Sequence, residues 1–385
     1  MDLLDFPSEL LIKILANLDA GSLTRCAMTC RQIHETLKNT SELTFIIESH
    51  FNGVTYADAL RQQDYPKLIG HLQRDRQLWI SSQWKFHFSL APIFCHRLYD
   101  LVGDIIVRLN MQPQYLEVTT LPSNDTTTPT TKKVQCREFA FISLCFAMDP
   151  SQDLIVILQR NTWEPEVICR IHFRTLSNDV PHPLAPHTLK FSIITKEPNS
   201  DINSICDPVL SIADNILMLK FHVGDGLHGQ KELRVMIWDW KSAEPKMDVP
   251  TFSDFTVPSF PANSSLGLLN PSYFFVTSIS GNGSIRLYRI VKYSTIHVAT
   301  LNFPTILRFT RICRLYAHSG PIEARRKPNS TFLMCDDDRL HVLVIHYFCE
   351  DHEKHIAIPV NLYVHQRVLM KYCVQETRSD GKHLD

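Results

Sequence analysis

The first part of the fold is decided by residues 6–18, which read Phe-Pro-Ser-Glu-Leu-Leu-Ile-Lys-Ile-Leu-Ala-Asn-Leu. The apolar residues recur at the spacing of one helix face, at Leu10, Leu11, Ile14, Leu15 and Leu18. This stretch therefore predicts an amphipathic helix of about three turns, with a proline suited to its first turn.

Two further short helices are predicted next. Residues 19–22, Asp-Ala-Gly-Ser, end the first helix and cap a second one that carries Leu23. Thr29 and Gln32 have the spacing of a capping box for a third helix, which ends near Asn39. Units below about 40 residues usually need a disulfide, a metal or a partner to hold their core. The pattern therefore predicts a partner surface, with packing on the rest of the chain as the alternative.

Residues 6–31 resemble an F-box. The family pattern has a Leu-Pro-x-Glu opening, here with Phe6 for Leu, an Ile-Leu-x-x-Leu middle at residues 14–18, a Ser-Leu turn at residues 22–23, and a Thr-Cys-Arg close at residues 29–31. The resemblance implies docking onto a Skp-family adaptor and, through it, onto a cullin scaffold of a ubiquitin ligase. The residues expected to face that adaptor are Phe6, Pro7, Leu10, Ile14, Leu18 and Leu23. Those expected to hold the helices together are Leu11, Leu15 and Ile33.

The cysteines predict no cofactor. Cys26, Cys30 and His34 are spaced four residues apart, a spacing that also suits metal ligands on one helix. The predicted break between the second and third helices separates them, so buried thiols are the favoured interpretation. Eleven cysteines without a CxxC pair are typical of a reduced cytosolic or nuclear protein.

A connector is expected over residues 43–85. Its alternation at Leu43, Phe45 and Ile47 predicts a strand, and residues 55–63 and 66–82 have helical patterns. This part resembles the strand and basic helix that follow the F-box in many fungal proteins. Acidic neighbours of its arginines favour a solvated or bridging helix over a nucleic-acid patch.

From residue 86 onward the sequence is rich in short β-type runs that repeat. Four apolar runs have their second residues at 154, 216, 274 and 332, which gives intervals of 62, 58 and 58. Second strands are predicted after each run, at residues 166–173, 232–240, 284–291 and 339–347. Such repeated hairpins bury their apolar faces by stacking on one another. The prediction is a β-propeller of five blades, or of six or seven if residues 105–136 add their own strands.

Two stretches resemble WD-type blades. Residues 234–240 end in Trp-Asp-Trp, and residues 317–321 read Ala-His-Ser-Gly-Pro. A Thr-rich tract at residues 119–133 lacks periodicity and predicts a mobile loop.

Composition excludes several classes of protein. The chain has 385 residues, with 39 Lys and Arg against 40 Asp and Glu. Its net charge of −1 therefore gives no overall positive electrostatic potential that would attract nucleic acid. Its start has no basic region, and the longest apolar run, residues 139–148, is far shorter than the roughly 20 residues of a membrane helix. Asp336 to Asp338, His341 and His346 are of residue types found in active sites, but strand alternation puts the two histidines on opposite faces.

The expected fold is α+β and multidomain: an F-box at residues 1–42, a strand and helical connector at 43–85, and a propeller-like substrate-binding domain at 86–385. The expected function is that of a non-catalytic substrate receptor in a Skp-cullin-F-box ubiquitin ligase, located in the cytoplasm or nucleus. Its partners are the adaptor, a cullin and an unknown protein target, without nucleic acid, membrane, metal or cofactor. The alternatives are a non-ligase F-box scaffold or a propeller-type small-ligand binder.

Overall fold

The computed structural model divides into two compact units. It describes residues 5–56, 64–82, 99–111, 114–121, 128–135, 143–160, 167–185, 188–193, 206–223, 232–242, 260–261, 264–291, 294–304, 310–320, 322, 332–334, 339–351 and 354–379. The helical unit comprises Met1–Ala91 and Arg326–Asp338, and the sheet unit comprises Pro92–Arg325 and Arg339–Asp385. The predicted domain boundaries stay a prediction.

Five helices form most of the helical unit: α1 (Ser8–Leu15), α2 (Ala20–Ala27), α3 (Arg31–Asn39), α4 (Ser41–Phe51) and α5 (Tyr65–Ser81). The three helices predicted for the F-box are therefore present. The first has eight residues and begins after Pro7, so it is shorter than the pattern indicated.

The strand predicted at residues 43–47 is wrong, because these residues lie in α4. Leu43 and Phe45 are both fully buried, and Ile46 and Ile47 are partly buried against the helical core. A helix that contacts α2 and α3 on one side and α5 on another needs apolar residues around much of its circumference. The same run therefore also fits the two-residue alternation of a strand, and only the packing of the surrounding helices decides that it forms a helix.

The capping box predicted for Thr29 and Gln32 is also corrected. The N-cap of α3 is Cys30, whose sulfur accepts a hydrogen bond from the Ile33 amide at 3.5 Å. The Thr29 hydroxyl instead donates to the Cys26 carbonyl at the end of α2, at 2.7 Å. The break between α2 and α3 is thus where the sequence placed it, with a different residue as its cap.

The helical unit also contains two short strands, β1 (Val54–Tyr56) and β19 (Phe332–Met334), which pair antiparallel. The run that contains β19 was predicted to be the fourth repeat of the body. That equivalence is wrong, since β19 pairs with a strand from the N-terminal region. A constant interval along the chain did not reveal which strand each run pairs with.

Among its described residues, the sheet unit contains five antiparallel sheets that follow one another along the chain. Sheet 1 contains β2 (Tyr99–Val102), β3 (Ile105–Met111), β4 (Gln114–Thr120) and β5 (Thr130–Gln135), and sheet 2 contains β6 (Ser143–Asp149), β7 (Leu154–Arg160), β8 (Val167–Thr175) and β9 (Thr188–Ile193). Sheet 3 contains β10 (Cys206–Ala213), β11 (Ile216–Val223), β12 (Glu232–Asp239) and β13 (Phe260–Pro261). Sheet 4 contains β14 (Leu266–Asn270), β15 (Tyr273–Ser278), β16 (Ser284–Val291) and β17 (Ser294–Asn302). The fifth sheet contains β18 (Thr310–Ser319), β20 (Leu340–Asp351) and β21 (Lys354–His365), and α6 (Gln366–Ser379) follows it.

Successive sheets pack face to face. Four apolar clusters join sheet 1 to 2, 2 to 3, 3 to 4 and 4 to 5, the last with a contribution from α6. The first strands of neighbouring sheets adjoin, in the order β2, β6, β10, β14 and β18. Helices followed by stacked sheets of three or four antiparallel strands with adjoining first strands are the propeller-like architecture that was predicted.

Residues 105–136 do contribute strands, which form sheet 1 with β2, but the described residues contain five blade-like sheets and not the six or seven expected in that case. The loop predicted at residues 119–133 is wrong at both of its ends, which belong to β4 and β5. Thr119 pairs with Thr131, and their hydroxyls lie 3.1 Å apart. Threonine is β-branched and favours strands, and this tendency outweighed the lack of periodicity.

Some predicted features lie outside the described residues. They are residues 57–63 of the predicted connector helix, the middle of the Thr-rich tract at 122–127, and Asp336 to Asp338. The helix predicted at 66–82 is confirmed as α5, whereas residues 54–56 form β1.

Two glycines between β15 and β16 have positive φ angles but different surroundings. A Cβ atom on Gly283 (φ +81°) would overlap Ile312 Cδ1 and would lie 2.9 Å from Phe303 Cδ2. A Cβ atom on Gly281 (φ +63°) would meet nothing within 4 Å. Gly283 is therefore required by close packing between sheets 4 and 5 as well as by the turn.

We expect Gly283→Ala to lower the free energy of unfolding of the sheet unit by about 1–3 kcal/mol more than Gly281→Ala does, because it adds steric overlap to the shared backbone strain. Urea denaturation of the full chain measures both. Equal losses for the two variants would contradict the crowding at Gly283.

A buried histidine ties the start of β20 to its neighbours. His341 is fully buried, and its Nδ1 lies 2.8 Å from the Ser319 hydroxyl. The Arg339 guanidinium donates to the carbonyls of Gly320 and Leu268, at 2.7 Å each. Burial, with a smaller contribution from the charge of Arg339, lowers the pKa of His341 to about 4.

Since the unfolded chain would bind this proton near its ordinary pKa of 6.5, the neutral folded form loses stability as the pH falls from about 6.5 to about 4. The full loss is on the order of 3 kcal/mol. We expect His341→Gln to reduce this pH dependence in denaturation experiments, whereas His365→Gln, at an exposed position, leaves it unchanged. An identical slope for wild type and His341→Gln would refute the assignment.

Candidate adaptor-binding surface

Helix α1 divides its apolar residues between the core and the surface. Leu11 and Leu15 are buried, at 1% and 2% exposure, whereas Leu10 and Ile14 are 45% and 43% exposed. Leu10 and Ile14 are four residues apart and therefore lie one above the other on a helix face. Two large apolar side chains are thus presented together at the surface of the helical unit.

The remaining predicted residues have different positions. Pro7 is exposed, and Phe6 and Leu18 are half-buried. Leu18 also packs against the core cluster of the helical unit. We use the term adaptor face for the residues that the sequence predicts to contact an adaptor and that keep exposed surface in the structure: Phe6, Pro7, Leu10, Ile14 and Leu18.

Leu23 is corrected: it has no exposed surface and lies in the core with Leu11, Leu15, Ile33 and Leu43. The sequence showed an apolar residue in the second helix but not which side of that helix faces inward. Leu23 therefore holds α2 to the other helices rather than presenting to a partner.

The turn between α1 and α2 is fixed by Asp19. The Ser22 amide donates to Asp19 Oδ1 at 2.9 Å, and the Ser22 hydroxyl donates to Oδ2 at 2.7 Å. The hydrogen bonds from the Ser22 hydroxyl and amide lower the pKa of the Asp19 carboxyl. The carboxylate is a good N-cap because it satisfies amides that have no partner within the helix.

Helix α5 is joined to α4 by a charged contact. Arg76 Nη1 lies 3.0 Å from Glu48 Oε2, and the Gln73 side chain donates to Glu48 Oε1 at 3.1 Å. The ring of Tyr65 lies 5.4 Å from that of Phe45, between their centroids. These contacts agree with the bridging interpretation of the basic helix.

One exposed apolar residue of this region was missed from the sequence. Met28, at the C-cap of α2, is 82% exposed. The residues three and four positions before it, Arg25 and Thr24, are polar, so no helical periodicity pointed to it. The end of α2 is therefore a second place where the F-box region presents apolar surface.

The described residues contain no group of three or more His, Cys, Asp or Glu side chains that could hold a metal ion. Cys26 and Cys30 are both half-buried, and the sulfur of Cys30 caps α3. Within the same residues, no helix combines the length and apolar character needed to cross a membrane.

Residues 3–44 match the family model described as the F-box domain. The chain therefore carries an F-box domain, formed by α1 to α3 and the first turn of α4. No curated protein sequence matches the chain.

The chain is similar to several solved structures. The chain is similar to Pyrococcus horikoshii acylaminoacyl peptidase (TM-score 0.30, 7% identity, 71% of this chain and 53% of that chain). It is also similar to the β-propeller domain of the Trilobed protease from Pyrococcus furiosus (0.28, 10%, 68% and 82%) and to Trypanosoma rangeli sialidase (0.32, 11%, 74% and 47%). The chain spans about half the length of the peptidase and of the sialidase.

The division of α1 and α2 into core and surface residues can be tested by truncation. We expect Leu23→Ala to lower the free energy of unfolding of the helical unit by about 2–5 kcal/mol, because it opens a cavity in the core. Leu10→Ala removes the same atoms from an exposed position and should cost well under about 1 kcal/mol. Thermal denaturation monitored by circular dichroism compares the two, and comparable losses would argue against the assignment of Leu23 to the core.

Proposed function

We propose that this protein is the substrate-recognition subunit of a Skp-cullin-F-box type ubiquitin ligase. The F-box binds a Skp-family adaptor through the adaptor face, and the propeller-like sheet unit holds a protein target. Other subunits of the ligase transfer ubiquitin, so the chain itself is not an enzyme. The proposed location is the cytoplasm, the nucleus or both.

The observation that carries the proposal is the exposure of Leu10 and Ile14 within a chain segment that matches the F-box domain. Two large apolar side chains that are held at the surface by a well-packed core gain stability when a partner removes them from water. An amphipathic helix that presents such a pair suits a helix-in-groove contact.

We expect Leu10→Asp and Ile14→Asp each to weaken adaptor binding at least about a hundredfold, because burying an unpaired carboxylate in an apolar interface costs several kcal/mol. Co-purification of the full chain with a recombinant Skp-type adaptor, followed by calorimetry, measures the loss. Lys38→Asp introduces the same carboxylate on the exposed side of α3 and is the matched control. Circular dichroism confirms that the variants remain folded. Undiminished binding by both α1 variants would reject the adaptor face.

A non-ligase F-box scaffold is the alternative. The two functions differ in the fate of bound proteins. A substrate receptor predicts that proteins captured with the wild-type chain accumulate when the proteasome is inhibited, and also when the Leu10→Asp variant replaces the wild type. A scaffold predicts adaptor binding with unchanged levels of every captured protein.

A further inference from the structure

The outer part of the cleft between sheets 1 and 2 has a positively charged wall. The register of β7, β8 and β9 places Gln159, Arg170 and Lys190 directly opposite one another, and it does the same for Ile157, His172 and Thr188. Ile157 belongs to the apolar cluster between sheets 1 and 2. Side chains alternate between the two faces of a strand, so all these residues point into the cleft between the two sheets.

Arg170 and Lys190, which we call the cation pair, are neighbours across two antiparallel strands. Directly opposite residues have Cβ atoms about 5 Å apart, and like charges in that position destabilise a sheet. Arg170 is half-buried and Lys190 is exposed. Solvent therefore does not screen the repulsion fully, yet a ligand can reach the pair from the surface.

The acidic residues nearby have other partners. Asp179 pairs with Arg174, and Asp153 accepts hydrogen bonds from the amide and the hydroxyl of Ser177, at 2.6 and 2.5 Å. The carboxyl of Asp100, on the first strand of sheet 1, accepts from the backbone amides of Leu101 and Met148. Within the described part of the chain, no acidic side chain of β8 or β9 faces the cation pair.

Arg170 also carries a donor without an acceptor. Its Nε is buried, and among the described residues it has no hydrogen-bond partner. A buried charged donor left without a partner costs free energy, which a bound acceptor would recover.

His172, beside the cation pair, contributes no charge. Its Nε2 donates to Gln159 Oε1 at 2.7 Å, and its Nδ1 accepts from the Thr188 hydroxyl at 3.5 Å. Burial, with smaller contributions from the charges of Arg174 and Arg170, lowers the pKa of His172 to about 4. This neutral histidine, hydrogen-bonded through both ring nitrogens, holds its strands in place next to Arg170. The positive charge available to a ligand therefore comes from Arg170 and Lys190.

We propose that this cleft is an anion-binding site in which Arg170 and Lys190 bind an oxyanion of the phosphate class. The guanidinium offers paired donors that match two oxygens of such a group, and the ammonium supplies a second charge. The ligand is either free phosphate or a phosphorylated side chain of a peptide. The site lies within the sheet unit and does not depend on the proposed function of the F-box.

The test is calorimetric titration of the full chain with inorganic phosphate and, separately, with N-acetyl-phosphoserine amide. We expect saturable binding of at least one probe to the wild type, weakened about tenfold or more by Arg170→Gln and by Lys190→Gln. Lys133 lies over the Tyr115 ring on the face of sheet 1 that points away from the cleft. The Lys133→Gln variant therefore removes a cation from outside the proposed site and should leave binding unchanged. Arg170→Lys keeps the charge but loses the paired donors, so it gives an intermediate affinity even if Arg170→Gln does not fold.

The two probes distinguish the sources of the anion: tighter binding of the phosphoserine derivative indicates a peptide ligand, and equal or weaker binding indicates free phosphate. No binding of either probe to the wild type overturns the proposal. Equal binding to the wild type and to the Arg170→Gln, Lys190→Gln double variant also overturns it. Glu164 and Glu166 lie outside the described residues, so the titration is repeated with a Glu164→Gln, Glu166→Gln double variant. If this double variant binds a probe and the wild type does not, the chain's own carboxylates occupy the cleft, and an external ligand is refuted.

Discussion

Burial on both faces of each strand is the constraint on which the sheet unit depends. In β7, the five consecutive residues Leu154 to Leu158 are all at most 2% exposed, although neighbouring side chains point in opposite directions. Such a strand needs an apolar layer on each side. One sheet supplies only one layer, so each inner sheet must have two neighbours. The serial stacking of the sheets follows from this requirement, and it explains why the apolar clusters lie between sheets.

The helical unit obeys a different rule. Its helices are too short to surround a large core, and α1 places Leu11 and Leu15 inward while Leu10 and Ile14 remain outside. Its outward apolar residues are therefore surplus to its own packing. The stability of the sheet unit comes from shared interfaces, whereas the helical unit keeps part of its apolar surface for contact with another molecule in the proposed function.

The sequence predicted the features that depend on strong local patterns. Continuous apolar runs located β7, β11 and β15, and the family motif located the three F-box helices. Asn270 shows how local chemistry sets a turn, since its side chain accepts hydrogen bonds from the amides of Ser272 and Tyr273 at 2.8 and 3.0 Å. Local chemistry is enough where the bonding partners are close along the chain.

Errors arose where a distant partner decides the outcome. Residues 43–47 fit both a strand and a helix until α5 is packed against them, and Leu23 fits both an inner and an outer face until the bundle is assembled. The cation pair likewise could not be recognised, because Arg170 and Lys190 become neighbours only through the register of β8 and β9. Spacing along the chain carries no information about such pairings.

The pairing of β1 with β19 has a consequence for biosynthesis. The helical unit is encoded almost entirely at the start of the chain, yet one of its two strands is translated after four of the five sheets. During vectorial synthesis the F-box helices leave the ribosome early, whereas the small hairpin-like ladder beside them cannot close until residue 334 has emerged. The helical unit, which begins first, is therefore completed late, and β1 has no partner strand while most of the sheets are being synthesised.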